Sequence, residues 1–242
     1  MKRIIGIILL LVFNVGPVFA DLTLQGPAGF INVPSAQTIK YKQIEWAARS
    51  RMFRVPGTGS ERYLTNLSLG FSPIRDFEIG VQKAVDSRRG ADDFDPDPTI
   101  NFKARIPPIG SGDFADTALG MVLDTNPNNY HSLYLALGGV SVGWNFGGNP
   151  GSGIANFGTY DRGRQAPKPL FFMFGGDLTP GLAGERGYRT HYFFDYNGDI
   201  FSAACRLKSH RGFWIDAAWH GKGTYDFQYD FLPLSIAVGA IF

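Results

Sequence analysis

The stretch Leu234 to Phe242 reads L-S-I-A-V-G-A-I-F. Side chains alternate faces along a strand. Leu234, Ile236, Val238, Ala240 and Phe242 therefore share one face. Ser235, Ala237 and Gly239 share the other, where Ile241 is the only bulky residue. A strand of this kind needs something apolar against its apolar row, either a second sheet or a bilayer. The alternation returns throughout the chain, and after Ala20 no apolar run approaches the ~20 residues of a transmembrane helix. Any element that crosses a membrane here has to be a strand.

The beginning of the sequence points the same way. Lys2 and Arg3 precede an apolar run from Ile4 to Phe13, which Asn14, Gly16 and Pro17 interrupt. Val18-Phe19-Ala20 places small residues where a signal peptidase needs them. Residues 1–20 thus read as a secretory signal peptide cleaved after Ala20, and no cysteine follows to suggest a lipoprotein. Lys2 and Arg3 carry the whole formal charge of +2, and the remaining 21 basic and 21 acidic residues cancel. Bulk charge therefore gives no ground for a nucleic-acid partner. The 31 glycines and 14% aromatic residues suit many short strands, tight turns and interfacial rings. The single cysteine, Cys205, is in phase with Phe201, Ala203 and Leu207 and reads as a small residue on an apolar face.

About twelve alternating runs follow one another. In the first, Ile44, Trp46, Ala48 and Met52 oppose Gln43, Glu45, Arg49 and Arg51. Tyr63, Thr65, Leu67, Leu69 and Phe71 then oppose Asn66, Ser68 and Gly70. After a turn at Ser72–Asp76, Phe77, Ile79 and Val81 oppose Glu78, Gly80 and Gln82. Ile100, Phe102, Ala104 and Ile106 oppose Asn101, Lys103 and Arg105, and a weaker run covers Thr117 to Asp124. Leu133, Leu135 and Leu137 lead through Gly138-Gly139 to Val140, Val142, Trp144 and Phe146. Leu170 to Leu178 is apolar on both faces, so its orientation stays open. Tyr188–Tyr196 and Ile200–Leu207 flank Asn197-Gly198, the strongest hairpin signal in the chain. Phe213, Ile215, Ala217 and Trp219 oppose Trp214, Asp216, Ala218 and His220, and the final strand completes the set.

Strands in lipid must close into a ring, because an open edge leaves backbone groups unpaired. The expected fold is all-β, an antiparallel transmembrane β-barrel of about twelve strands over residues 41–242. The ending on an aromatic resembles the C-terminal insertion signal of bacterial outer-membrane barrels. That implies the insertion machinery of the outer membrane as a partner, with outer-membrane lipid and lipopolysaccharide around the barrel. With both ends in the periplasm, the long connections Asp86–Pro98, Phe146–Lys168 and His220–Pro233 fall on the outer side, and Ser72–Asp76 and Gly138-Gly139 on the inner. The inward faces carry the candidate lumen-lining residues Glu45, Arg49, Arg51, Glu78, Lys103, Arg105, Trp214 and Asp216. Mixed signs at twelve-strand width imply a lumen largely filled by side chains, or a small polar channel.

Residues 21–40 are different in kind. Gly26-Pro27-Ala28-Gly29-Phe30-Ile31-Asn32-Val33-Pro34-Ser35-Ala36 is rich in glycine and proline and precedes the first clear strand. It either plugs the periplasmic mouth or contacts a periplasmic partner. Gly29 to Ala36 resembles the G-L-(I/L)-N-x-P-(S/T)-A signature near the mature N-terminus of the YjbH-like family of outer-membrane β-barrel proteins. Phe193-Phe194-Asp195-Tyr196-Asn197-Gly198 resembles that family's hairpin E-Y-D-G or E-Y-N-G. The resemblance implies a role in exopolysaccharide production or export, with polysaccharide and periplasmic export proteins as partners. It supplies no catalytic residues.

Candidate chemistry is sparse. The four histidines, His131, His191, His210 and His220, could each meet a serine across strands, for example His131 with Ser141. No G-x-S-x-G elbow accompanies them, so interface or lumen positions are the plainer reading. The acidic stretch Asp92–Asp97 fails as a calcium loop, because Pro98 and Ala104 stand where glycine and glutamate are needed. Arg162, Arg164 and Lys168 in the longest loop, with Arg54 and Arg62 beside the first, are candidates for lipopolysaccharide phosphates. Trp214 is the candidate for sugar stacking in the lumen. No cofactor or metal is expected. The sequence favours a non-catalytic envelope component, with a small-solute porin and an outer-membrane lipid-modifying enzyme as alternatives.

Overall fold

A computed structural model describes residues 21–23, 28–29, 31–54, 60–87, 97–107, 116–150, 155–158, 160–161, 166–178, 188–223 and 230–242. Among these the only regular elements are strands. Twelve of them make the wall: β1 (Ile44–Arg54), β2 (Glu61–Ile74), β3 (Phe77–Asp86), β4 (Thr99–Ile106), β5 (Thr117–Asp124), β6 (Tyr130–Leu137), β7 (Val140–Gly147), β8 (Leu170–Asp177), β9 (Tyr188–Tyr196), β10 (Phe201–Ser209), β11 (Phe213–His220) and β12 (Asp230–Ile241). Each pairs antiparallel with its sequence neighbour, and β12 returns to pair with β1, which closes the barrel. At the seam Ile44 N–H donates to Phe242 O (3.1 Å) and Phe242 N–H to Ile44 O (2.9 Å). The closed ring leaves no sheet edge, as the physics of a bilayer requires.

Local sequence explains the irregularities. The β12–β1 register shifts between Phe231 and Ser235, and the β2–β3 register between Phe71 and Ile74. Pro233 and Pro73 lie in these intervals and have no N–H for a ladder, so the strands bulge there. At the β9–β10 turn, Asn197 Oδ1 accepts the N–H groups of Asp199 (3.0 Å) and Ile200 (2.8 Å). Gly198 there has φ +93°, which side-chain-bearing residues rarely adopt.

The two faces of the wall are inverted relative to a water-soluble protein. Outward, Leu69, Leu119, Trp144, Phe172, Tyr192, Trp219 and Ile236 are exposed, and so is Cys205. Inward, Glu45, Glu78, Asn101, Lys103, Asp195, Arg206 and Asp216 are buried. Apolar outside and charged inside is the arrangement of a barrel whose solvent is lipid, and it is compatible with an outer-membrane protein. No helix is long and apolar enough to cross a membrane among the described residues.

Three expectations need correction. The loop asymmetry is incomplete. β4 and β8 end, and β5 and β9 begin, on the same rim as the Gly138-Gly139 turn, with ten residues between each pair, whereas the tight Asn197–Ile200 turn lies on the opposite rim. His131 and Ser141 do not meet. Ser141 faces inward, and its hydroxyl donates to Pro34 O (3.2 Å). His131 is on the outward phase of β6, where Nδ1 accepts Asp124 N–H (3.2 Å) and the ring lies against Phe146. The wall also begins at Ile44, and its last strand starts at Asp230, four residues before the alternation becomes clear.

Candidate functional site

Among the described residues, the segment before β1 packs inside the wall against inward-facing side chains. Ile31, Asn32, Val33, Ser35, Ala36 and Ile39 are all buried. The N–H groups of Ile31 (3.0 Å), Asn32 and Val33 (3.1 Å) converge on Asp195 Oδ2 of β9. Asn32 Nδ2 also donates to Asp195 Oδ1 (3.1 Å) and to Ser202 Oγ of β10 (2.7 Å). Three successive backbone donors and one amide satisfy a carboxylate without a cation. Asp195 belongs to the second stretch of the family resemblance and Ile31–Val33 to the first. The fold brings the two together across more than 160 residues of chain.

Further contacts hold the rest of the segment. Leu22 N–H donates to Glu45 Oε1 (3.1 Å) on β1, and Ile39 N–H to Glu78 Oε2 (3.1 Å) on β3. Ala36 N–H donates to Gly138 O (3.1 Å), and Lys103 Nζ on β4 donates to Ser35 O (3.4 Å). Gln37 Nε2 donates to Asp116 Oδ2. The apolar side chains Ile31, Val33 and Ala36 join one cluster with Ala118, Val122, Tyr134, Ala136, Phe171 and Met173. Phe157, from the connection between β7 and β8, enters the same cluster edge-on to Tyr134. Asn145 Nδ2 fixes it by donating to Phe157 O (2.9 Å).

The charged residues of the lumen partner one another. Asp216 Oδ2 accepts Arg49 Nη2 (2.7 Å) and Arg206 Nη2 (2.7 Å). The Arg206 guanidinium lies 4.1 Å from the Trp214 ring centre and 4.9 Å from that of Phe193. Trp214 Nε1–H donates to Glu45 Oε1 (3.2 Å). One face of Trp214 is therefore covered and its polar atom engaged, which removes it as an open sugar platform. Gly239, its cross-strand partner on β12, makes room for the indole, since a Cβ there would strike it. Glu78 pairs with Lys103 at 3.5 Å. Arg51 donates to Leu232 O (2.8 Å) and lies over Phe231. Arg105 sits at the rim nearest the chain end of β12, between Asp76 (3.5 Å) and Asp116 (2.6 Å).

A polar chain joins these groups. His220 bridges Ser202 Oγ (3.0 Å from Nδ1) and Ser235 Oγ (2.8 Å from Nε2). Arg49 Nη1 donates to Ser235 Oγ (3.2 Å). The path Asp195–Asn32–Ser202–His220–Ser235–Arg49–Asp216–Arg206 thus runs unbroken from β9 through the segment to the seam. Serines take both His220 nitrogens, and no carboxylate orients its ring, so the geometry differs from a hydrolytic triad. No group of three or more His, Cys, Asp or Glu side chains is placed to hold a metal among the described residues.

The outer cations fare differently. Arg162 and Arg164 lie outside the described residues, as do residues 92–96 of the acidic stretch and the leader. Lys168 is exposed, with its carbonyl accepting Asn145 Nδ2 (3.2 Å). Arg54 pairs with Glu61 (3.1 Å) and Arg62 with Asp86 (3.2 Å). Sequence reasoning named His220 among the histidines that could meet a serine across strands, without its partners Ser202 and Ser235, and it did not single out Arg206 or Phe157. Arg206 was findable, because it shares a phase with Ser202 and Ala204. Phe157 carries no such signal, since it belongs to no strand.

No protein-family model matches the chain, and no curated protein matches it.

Proposed function

We propose that this chain is an outer-membrane barrel, delivered by its signal peptide and placed by the outer-membrane insertion machinery. In this reading it serves, without catalysis, in exopolysaccharide export or envelope assembly. The observation that carries it is the meeting of two stretches at Asp195. Both resemble sequences of a polysaccharide-linked barrel family, and here they form one hydrogen-bonded unit. Lipid and lipopolysaccharide surround the wall, and polysaccharide and periplasmic export proteins are the expected partners. The segment packed inside the wall weighs against a freely open small-solute porin. The inward, buried position of the Ser–His contacts weighs against a lipid-modifying enzyme, whose substrate lies outside the wall.

The test is genetic and chemical. Deleting the gene from its host should lower secreted polysaccharide, measured by sugar analysis of the medium, and reintroducing it should restore secretion. Unchanged secretion would sink the export role.

A further inference from the structure

The segment and the wall are held by different means. Most bonds from the wall to the segment engage its main chain. Glu45, Glu78 and Asp195 accept its N–H groups, while Lys103 and Ser141 donate to its carbonyls. Among the described residues the segment joins none of the wall's ladders. Its own pairings are Asp21–Leu22 with Ala28–Gly29 and a bridge from Gly29 to Pro34. The ring is closed without it. The wall's charges also hold one another, through Arg49–Asp216–Arg206 and Glu78–Lys103. Side chains alone fill a barrel of about eight strands, whereas this one has twelve. The extra width is where the segment lies.

We propose that the inner wall is a binding site for a peptide main chain, that residues 31–39 are its resident ligand, and that their withdrawal turns the closed barrel into a water-filled pore. Recognition through the main chain, with successive N–H groups converging on the Asp195 carboxylate, holds the backbone whatever side chains it carries. Ile31, Val33 and Ala36 supply specificity through the apolar side of the lumen. The inference rests on the barrel spanning a membrane and is independent of what the cell exports.

The test uses the full chain in planar bilayers. Asn32→Cys with Ser202→Cys puts thiols on two residues whose side chains touch, Asn32 Nδ2 to Ser202 Oγ at 2.7 Å, and a short reducible crosslinker between the thiols forms the oxidised tether. Cys205→Ser removes the outward thiol from the background. The oxidised tether should be silent, like the wild type. Reduction should raise open probability about tenfold, because the side-chain bonds from Asn32 Nδ2 to Asp195 and Ser202 are gone. A synthetic peptide of residues 21–40 should then close the pore again, and a scrambled peptide should not. Asp195→Ala, untethered, should open in the same way, and a gel shift on heating verifies that each variant is folded. Silence of both the reduced tether and Asp195→Ala would overturn the proposal. So would a wild type that conducts as steadily as they do, or an open pore that ignores the peptide. None of these readings depends on polysaccharide secretion, so the two proposals fail separately.

Discussion

The lumen has two unlike sides. Along β9 to β12 and β1, inward positions carry Asp195, Arg206, Asp216, His220, Arg49 and Glu45, joined by hydrogen bonds. Along β5, β6 and β8, inward positions carry Ala118, Val122, Tyr134, Ala136, Phe171 and Met173. On the first side Arg49, Asp216 and Arg206 satisfy one another, and Asp195 and Glu45 take N–H groups from the segment. The second is apolar, and Ile31, Val33 and Phe157 pack against it in one buried cluster. An apolar inner face therefore marks the part of a barrel wall that has a covering element. The charged side marks where that element is held by its backbone.

Removing the central carboxylate should break the charged side most severely. Asp216→Ala strands Arg49 and Arg206 in the wall, and loss of one partner of a buried pair costs about 3–5 kcal/mol. Urea unfolding in detergent micelles, followed by tryptophan fluorescence, should show that loss as a lower midpoint; an unchanged midpoint would mean that water reaches these groups. The corresponding cut on the apolar side is Met173→Ala, at a fully buried position, where large-to-small changes cost about 2–5 kcal/mol. Its midpoint should fall, by less than for Asp216→Ala. A larger fall would reverse the ranking of the two sides.

Gly70→Val addresses the segment itself. A Cβ at Gly70 would lie 2.5 Å from Ile39 Cδ1 and 2.8 Å from Leu22 Cδ2. Overpacking of this kind costs about 1–3 kcal/mol. Because both neighbours belong to the segment, limited proteolysis should cut near residues 22–39 faster in the variant while the gel shift on heating persists. Equal cutting rates would show that the wall yields instead. The smallest effect is expected at the exposed pair: Arg54→Ala should change the urea midpoint by less than about 1 kcal/mol of stability. A larger change would reveal a loop contact that Arg54 organises.

The barrel was legible because its wall obeys one rule. Period-2 alternation placed Glu45, Glu78, Lys103 and Asp216 inward and Leu69, Ile215 and Ile236 outward, and the structure keeps those phases. Leu170–Leu178 resisted that reading for a physical reason. Phe172 is exposed on the outer face, and Phe171 and Met173 face an apolar cluster within, so both phases carry apolar residues. The interior contacts were less legible. Asp195 with Ile31–Val33, and His220 with Ser202 and Ser235, depend on which strands face each other across the lumen. Alternation along one strand carries no information on that.

The distance along the chain between Val33 and its acceptor, 162 residues, also sets an order of events. Contacts of such separation form late, because the intervening chain must first be arranged. Asp195 and Ser202 face a common interior only after β9 and β10 have joined the sheet. The stretch that precedes every wall strand in sequence therefore waits for β9 and β10 before it can find its place. Until the ring closes, its N–H groups and its isoleucines must be sheltered by something other than the finished barrel.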